Sequence, residues 1–263
     1  VGGEIMTPVQ TSLAWSLGLF LGMLICLEIG YRIGSYSIEK HLDLAHEGTG
    51  TIESAVFALL GLLLAFTFGG AMSRLEARRA LIVQEATAIG TAYLRLDILP
   101  SAEQPGMRQL FRQYLDARLS AYEKLLQRDI ANREFARAAA MQQQIWSRAV
   151  TAGQNDSTHN IVRVLLPALN EMMDVTTSRA IALDTHLPAL VFLLLICVAL
   201  LSALLAGHVM AKRKHRSPLH VILYAAIISF TIYAVLDLDE PRSGLIRLDR
   251  ADQALIDLRD SVR

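Results

Sequence analysis

Residues 59 to 100, LLGLLLAFTFGGAMSRLEARRALIVQEATAIGTAYLRLDILP, carry an apolar span straight into a charged, amphipathic segment with no polar loop between them. Nothing in that stretch stops a helix before Pro100, so the sequence predicts one helix that leaves a bilayer still helical.

The rest of the chain fits a membrane protein. A helix needs ~20 apolar residues to cross ~30 Å of hydrocarbon, and four segments reach that length. They run from Ser12 to Gly30, Ile52 to Met72, Leu187 to Met210 and Pro218 to Leu236. With 53% hydrophobic against 19% charged residues, an ordinary soluble domain is excluded. The first span lacks a basic leader and a small-residue cleavage site, so it reads as a retained helix rather than a signal peptide. Cys26 and Cys197 both fall inside spans, where they are expected to pack as apolar residues and form no disulfide framework. Twenty-five basic side chains balance twenty-five acidic ones, which leaves no argument for nucleic acid.

The fold class expected is an all-α integral membrane protein of four transmembrane helices, with a helical extramembrane domain inserted between the second and the third. The divisions are 1–72 for the first helix pair, 73–186 for the inserted domain, 187–238 for the second pair and 239–263 for an amphipathic tail. Lys and Arg favour the cytoplasmic side of short loops. Lys212, Arg213, Lys214 and Arg216 after the third span, with Arg32 and Lys40 after the first, place both short loops on the cytoplasmic side of a bacterial inner membrane. The termini and the middle domain then lie outside, against sparser clusters at Arg74, Arg78 and Arg79 and at Arg242, Arg247 and Arg250.

The inserted region shows helical periodicity throughout and no strand alternation. Leu81, Ile82, Ile89 and Leu94 mark its first helix, which ends before Pro100; Leu110, Phe111, Tyr114, Leu115 and Tyr122 mark a second. A third, Ala- and Gln-rich, covers 131 to 152, and a fourth covers 158 to 184 behind the capping residues Asp156, Ser157 and Thr158. Pro167 falls inside that last helix, where a kink or break is expected. Glu123, Lys124, Arg128, Asp129, Arg133 and Glu134 read as a solvated face.

No phosphate loop, nucleophile elbow or zinc-spaced histidine pair is present, so no enzyme and no cofactor is expected. Glu28 near the end of the first span sits four residues before Arg32, the favourable order for a helical ion pair. His41, His46 and Glu47 in the first loop do not complete a metal shell. Asp237, Asp239 and Glu240 before Pro241 offer oxygen ligands to a hard cation, too few for a calcium site and also in keeping with a helix ending at an interface. On the second span, Leu60, Leu64 and Phe68 form one i,i+4 stripe and Leu62, Phe66 and Gly70 another. Either stripe, repeated around a symmetry axis, makes a hydrophobic constriction able to gate by dewetting. An apolar span also needs a face for lipid or for other helices, and both readings stay open.

The segment SRLEARRALIVQEATAIGTAYLRLDILP and the tail YAVLDLDEPRSGLIRLDRADQALIDLR resemble the bacterial bestrophin-like domain family of unassigned function. The order of two spans, a helical middle, two spans and a DxDxPRxGLIR-type tail is similar over nearly the whole chain. Through that family the chain resembles bestrophins, which implies a pentamer, a hydrophobic neck on the second span and the passage of small inorganic anions. Arg74, Glu76 and Arg78 are then charged candidates at the pore exit, and Asp237, Asp239 and Glu240 resemble part of a calcium clasp. Arg242 and Ser243 replace the Phe-Gly that follows the proline in bestrophins, and the dense run of acids is missing, so calcium gating is not implied. Two functions are carried forward. One is a homo-oligomeric channel in the lipid bilayer; the other is a non-conducting sensor or scaffold whose helical domain binds a partner.

Overall fold

The structure is a computed structural model that describes residues 8–39, 49–154, 156, 159–211, 218–240 and 249–262. The first-loop residues Lys40, His41, His46 and Glu47, the caps Ser157 and Thr158, the basic run 212–216 and the tail segment 241–248 lie outside the described residues. Every regular element among the described residues is helical. The order is α1 (Pro8–Glu39), α2 (Thr49–Leu94), α3 (Gln104–Glu123), α4 (Arg128–Gln154), α5 (Leu166–Asp184), α6 (Ala189–Ala211), α7 (Pro218–Asp239) and α8 (Asp249–Ser261). A 3-10 turn at Arg95–Ile98 finishes α2, and a π-helical turn at Ile161–Leu165 precedes α5.

α2 is unbroken over its 46 residues, as the absence of any loop signal in its sequence predicts. The α-helical pattern is interrupted just before Pro167, by the π-helical turn at Ile161–Leu165, and Pro167 sits in the first turn of α5, where its missing N–H and fixed φ are tolerated. Asp156 accepts the Ile161 N–H at 2.9 Å at the start of that turn.

The chain divides into two compact units, Val1–Arg74 with His186–Ile246, and Leu75–Thr185 with Arg247–Arg263. α2 contributes to both. Four helical stretches are long and apolar enough to cross a membrane; they contain α1, α2, α6 and α7.

In the first unit α1 packs chiefly on α6, and also on α7. Met23, Leu27, Leu60, Leu195, Ala199 and Ala225 belong to its core. Small residues bring α1 and α6 backbone to backbone, as is common where lipid offers no hydrophobic incentive for association. A Cβ built on Gly30 would stand 2.0 Å from the Leu204 carbonyl oxygen, and one on Gly207 would stand 2.0 Å from that of Leu27. Hydroxyls add polar ties: Ser16 donates to the Ser229 carbonyl at 2.9 Å, and Tyr224 donates to Ser202 at 2.8 Å. Glu28 and Arg32 pair at 2.9 Å at the end of the α1 span. Cys26 and Cys197 are free thiols, Cys197 on an exposed side of α6.

In the second unit the remaining turns of α2 and the helices α3, α4, α5 and α8 surround Ile82, Ile89, Phe111, Tyr114, Ile145 and Leu165, all essentially buried. α8 docks on α3. Arg259 reaches Asp116 at 2.9 Å, and Tyr93 and Arg112 both donate to the Val262 carbonyl.

Candidate functional site

The question the sequence leaves open is which side of α2 is free. Leu60 is 3% exposed and belongs to the core of the first unit, and Leu64 packs against that core half-buried. Leu62 is 52% exposed, Phe66 68% and Phe68 41%. Leu60 therefore does not reach the open side of the helix, whereas Leu62 and Phe66 stand on it. Further open positions follow at alternating steps of three and four: Ile52, Ala55, Leu59, Leu62, Phe66, Gly69, Ser73, Glu76, Ala80, Val83 and Thr87 are all exposed. Thr67, Ala71, Leu75, Arg78, Ile82, Glu85 and Ile89 are buried at the same rhythm on the other side. This 3.5-residue repeat is the spacing of helices that meet other helices along a seam. It lets one face stay open along the whole length of α2.

Small residues open the seam midway. Leu59, Leu62 and Phe66 give way to Gly69 and Ser73, and then to the acid Glu76. Of the four apolar stretches α2 is also the least covered: 17% of its apolar window is buried, against 28% in each of the others.

The charged candidates separate into different roles. Arg74 donates to Asp239 Oδ1 at 2.8 Å, while Asp239 Oδ2 accepts the Leu187 N–H at 2.8 Å, with His186 Nδ1 3.5 Å away. Both oxygens of Asp239 are thus engaged in fastening the start of α6. Asp237 is buried and accepts from the Tyr233 hydroxyl at 3.4 Å; Glu240 is half-buried. Among the described residues no group of three or more His, Cys, Asp or Glu side chains is placed to hold a metal ion.

Arg78 is buried and donates to the carbonyls of Ala182 at 3.0 Å and Thr185 at 2.7 Å, satisfying the C-terminal end of α5. Glu76 remains on the open face, paired with Arg79 at 2.7 Å.

A polar cluster that no sequence motif announces lies inside the second unit. Glu85 is fully buried and receives Arg118 at 2.7 Å and Arg179 through a second short charge-assisted bond. Arg179 also reaches Asp252 of α8 at 3.1 Å, and its guanidinium lies 3.5 Å from the centre of the Tyr122 ring. Arg118 donates to the Tyr122 hydroxyl and stacks over Phe135. Two carboxylates and two guanidiniums balance, and they tie α2, α3, α5 and α8 to a common point. The signal available in sequence was only that Glu85 breaks an apolar face.

Burial pushes the Tyr122 phenol well above its ordinary range, helped by Glu85 and opposed by Arg118 and Arg179. Tyr114 is raised as well, chiefly by burial. Below the usual tyrosine range near ~10 both rings are neutral in the folded and the unfolded chain, so they give stability no pH slope. Above it the unfolded chain loses protons that the folded chain keeps, and stability falls as pH rises. Thermal unfolding of the purified protein is expected to show a midpoint that declines steadily above about pH 10. In Tyr122→Phe that decline is expected to be shallower.

An open groove in the second unit, lined by Leu99, Pro100, Glu103, Arg148, Thr151 and Asp156 among others, has a volume of about 620 Å³. One Asp156 carboxylate oxygen accepts the Ile161 N–H beside it.

A family model described as Bestrophin-like domain matches residues 31–252. Among solved structures, one variant of a bacterial bestrophin homologue from Klebsiella pneumoniae is similar with a TM-score of 0.61 at 16% identity, over 90% of this chain and 98% of that one. Another variant of the same homologue covers 99% of this chain and 100% of its own, with a TM-score of 0.59 at 15% identity. At these identities the likeness shows the fold. No curated protein matches the chain.

Proposed function

Since the chain belongs to the bestrophin-like domain family, we propose that copies of it assemble around a symmetry axis in the bacterial inner membrane into an ion channel whose neck is formed by α2. The observation that carries this reading is that α2 has the least buried apolar stretch of the four, with Leu59, Leu62 and Phe66 exposed along it while Leu60 is held in the core. Gly69 in that line lets neighbouring helices approach closely, as is common at helix contacts in membranes. Five copies is the number the family resemblance implies. Leu62 and Phe66, one turn apart, are the neck, and Leu60 supports it from within the core.

Full-length protein reconstituted in liposomes tests the proposal by ion flux. Wild type is expected to pass ions slowly, and Leu62→Ala and Phe66→Ala to raise the flux several-fold by widening and wetting the constriction. Leu60→Ala, at a core position, is expected to lower thermal stability without that increase. An intact oligomer that carries no flux as wild type or in either neck variant would overturn the reading in favour of a non-conducting scaffold.

A further inference from the structure

We infer that the groove in the second unit is a binding site for a zwitterionic small molecule, an α-amino acid with an apolar side chain. The inference stands apart from the conduit, because every residue it uses lies between 98 and 161, within one compact unit. Its starting point is two opposite charges that share the groove without answering each other. Arg148 of α4 and Glu103, the residue before α3, both line it, and both are exposed. The Arg148 guanidinium already reaches the first turn of α3, since a Cβ built on Gly106 would stand 3.1 Å from its Nη1. Glu103 is only three residues back along the chain, at the cap position of α3, and its side chain caps nothing. Among the described residues neither side chain makes a hydrogen bond or an ion pair. Arg95 and Arg108, on either side of the Pro100 turn in sequence, are by contrast both engaged, by the Val164 carbonyl and by Asp97.

The rest of the lining decides the ligand. Ser147 stands beside Arg148 on α4, so this wall offers hydroxyl and guanidinium donors to a carboxylate. The Thr151 hydroxyl, one turn on, donates to the Ser147 carbonyl at 3.0 Å and so cannot donate to an anion. With Glu103 and Asp156, the described lining holds two carboxylates against one guanidinium. A simple anion therefore meets a net negative surface, and a simple cation leaves Arg148 unanswered. A molecule that bears both charges answers both. Ile98, Leu99, Pro100 and Ile161 add apolar surface for its side chain, and Ile161 opens the π-helical turn, a rare irregularity that recurs at functional sites. A volume of about 620 Å³ falls within the ~300–1,000 Å³ of small-molecule sites.

The test is saturation-transfer NMR on the full-length protein in detergent, with L-leucine as the probe and detergent alone as the blank. Leucine is expected to bind with a Kd of about 1 mM, because charges at an open rim are screened by water. 4-Methylpentanoate lacks the ammonium and isopentylamine lacks the carboxylate. Each is expected to bind at least about tenfold more weakly than leucine, having lost one charge-assisted hydrogen bond. Arg148→Gln and Glu103→Gln are each expected to weaken leucine by about tenfold for the same reason. Both side chains are exposed and unpaired, so the unfolding midpoints of the variants should match wild type, and the binding loss then belongs to the groove. No leucine binding to wild type up to about 50 mM would overturn the inference. Either half-molecule binding as well as leucine would do the same, by making the site one for a single charge, and so would leucine binding that both variants keep.

Discussion

Replacing Glu85 by alanine is expected to destabilise the unit formed by Leu75–Thr185 and Arg247–Arg263 by about 3–5 kcal/mol. The reason is the residue count of the cluster. Glu85 is the one carboxylate both Arg118 and Arg179 share, and both arginines are buried, at 4% and 3% exposure. Without it Arg179 keeps Asp252, but Arg118 is left with a phenol and two aromatic faces, which do not answer a full charge in a low-dielectric interior. Glu85→Gln preserves the shape but removes the charge and turns one accepting oxygen into an NH2 donor facing a guanidinium, so its loss should be nearly as large. The informative control is the triple change Glu85→Met, Arg118→Met, Arg179→Leu. Removing the whole buried set is expected to leave the protein closer to wild type than removing Glu85 alone, because well-packed apolar side chains often replace a buried ion cluster at little net cost. Thermal unfolding, with proteolysis read within 75–185, measures both. Alanine at Glu85 with an unchanged midpoint would mean that water reaches the cluster and that its charges are not buried in practice.

The same cluster shows where sequence reasoning stops. Glu85, Arg118, Arg179 and Asp252 sit on four different helices, and each in isolation looks like one more charge on an amphipathic face. Nothing local distinguishes a buried arginine from a solvated one. The helices themselves were legible, because apolar periodicity, the Pro100 stop and unbroken spans depend on neighbours in sequence. The continuity of α2 was legible for that reason; its orientation was not. In water an apolar stripe identifies the core, but in a membrane both the core side and the outer side are apolar, so Leu60/Leu64 and Leu62/Phe66 carry the same signal. The fold distinguishes their surroundings: Leu60 joins the core with Met23 and Leu195, whereas Leu62, Phe66 and Phe68 are exposed. The acids at 237–240 left two readings open, a partial ligand set and a helix ending at an interface. As a string they suggest a ligand set, whereas in the fold Asp239 spends its oxygens on Arg74 and on the Leu187 N–H.

The α1–α6 crossing is built on small residues four apart, Gly30 and Gly34 in one helix and Ala199, Ala203, Gly207 and Ala211 in the other. It supports the second large prediction. A methyl group at Gly30 or Gly207 would meet a backbone carbonyl of the partner helix at 2.0 Å, and backbone has no rotamer by which to yield. The helices must separate by roughly 1 Å or more to restore a normal contact, and that separation loosens every neighbouring pair along the crossing. Gly30→Ala or Gly207→Ala is expected to cost about 1–3 kcal/mol, and Gly207→Leu to prevent recovery of a monodisperse particle from detergent. Because Gly30 and Gly207 act on the same crossing, the double alanine variant should cost less than the sum of the singles, the first having already forced the helices apart. Gly18→Ala and Gly61→Ala are the matched controls, since a methyl there meets no atom within 4 Å. Both are expected to leave thermal stability at or slightly above wild type, alanine being the better helix former. If Gly18 and Gly207 responded alike to alanine, the crossing would not be the element that holds the membrane unit together.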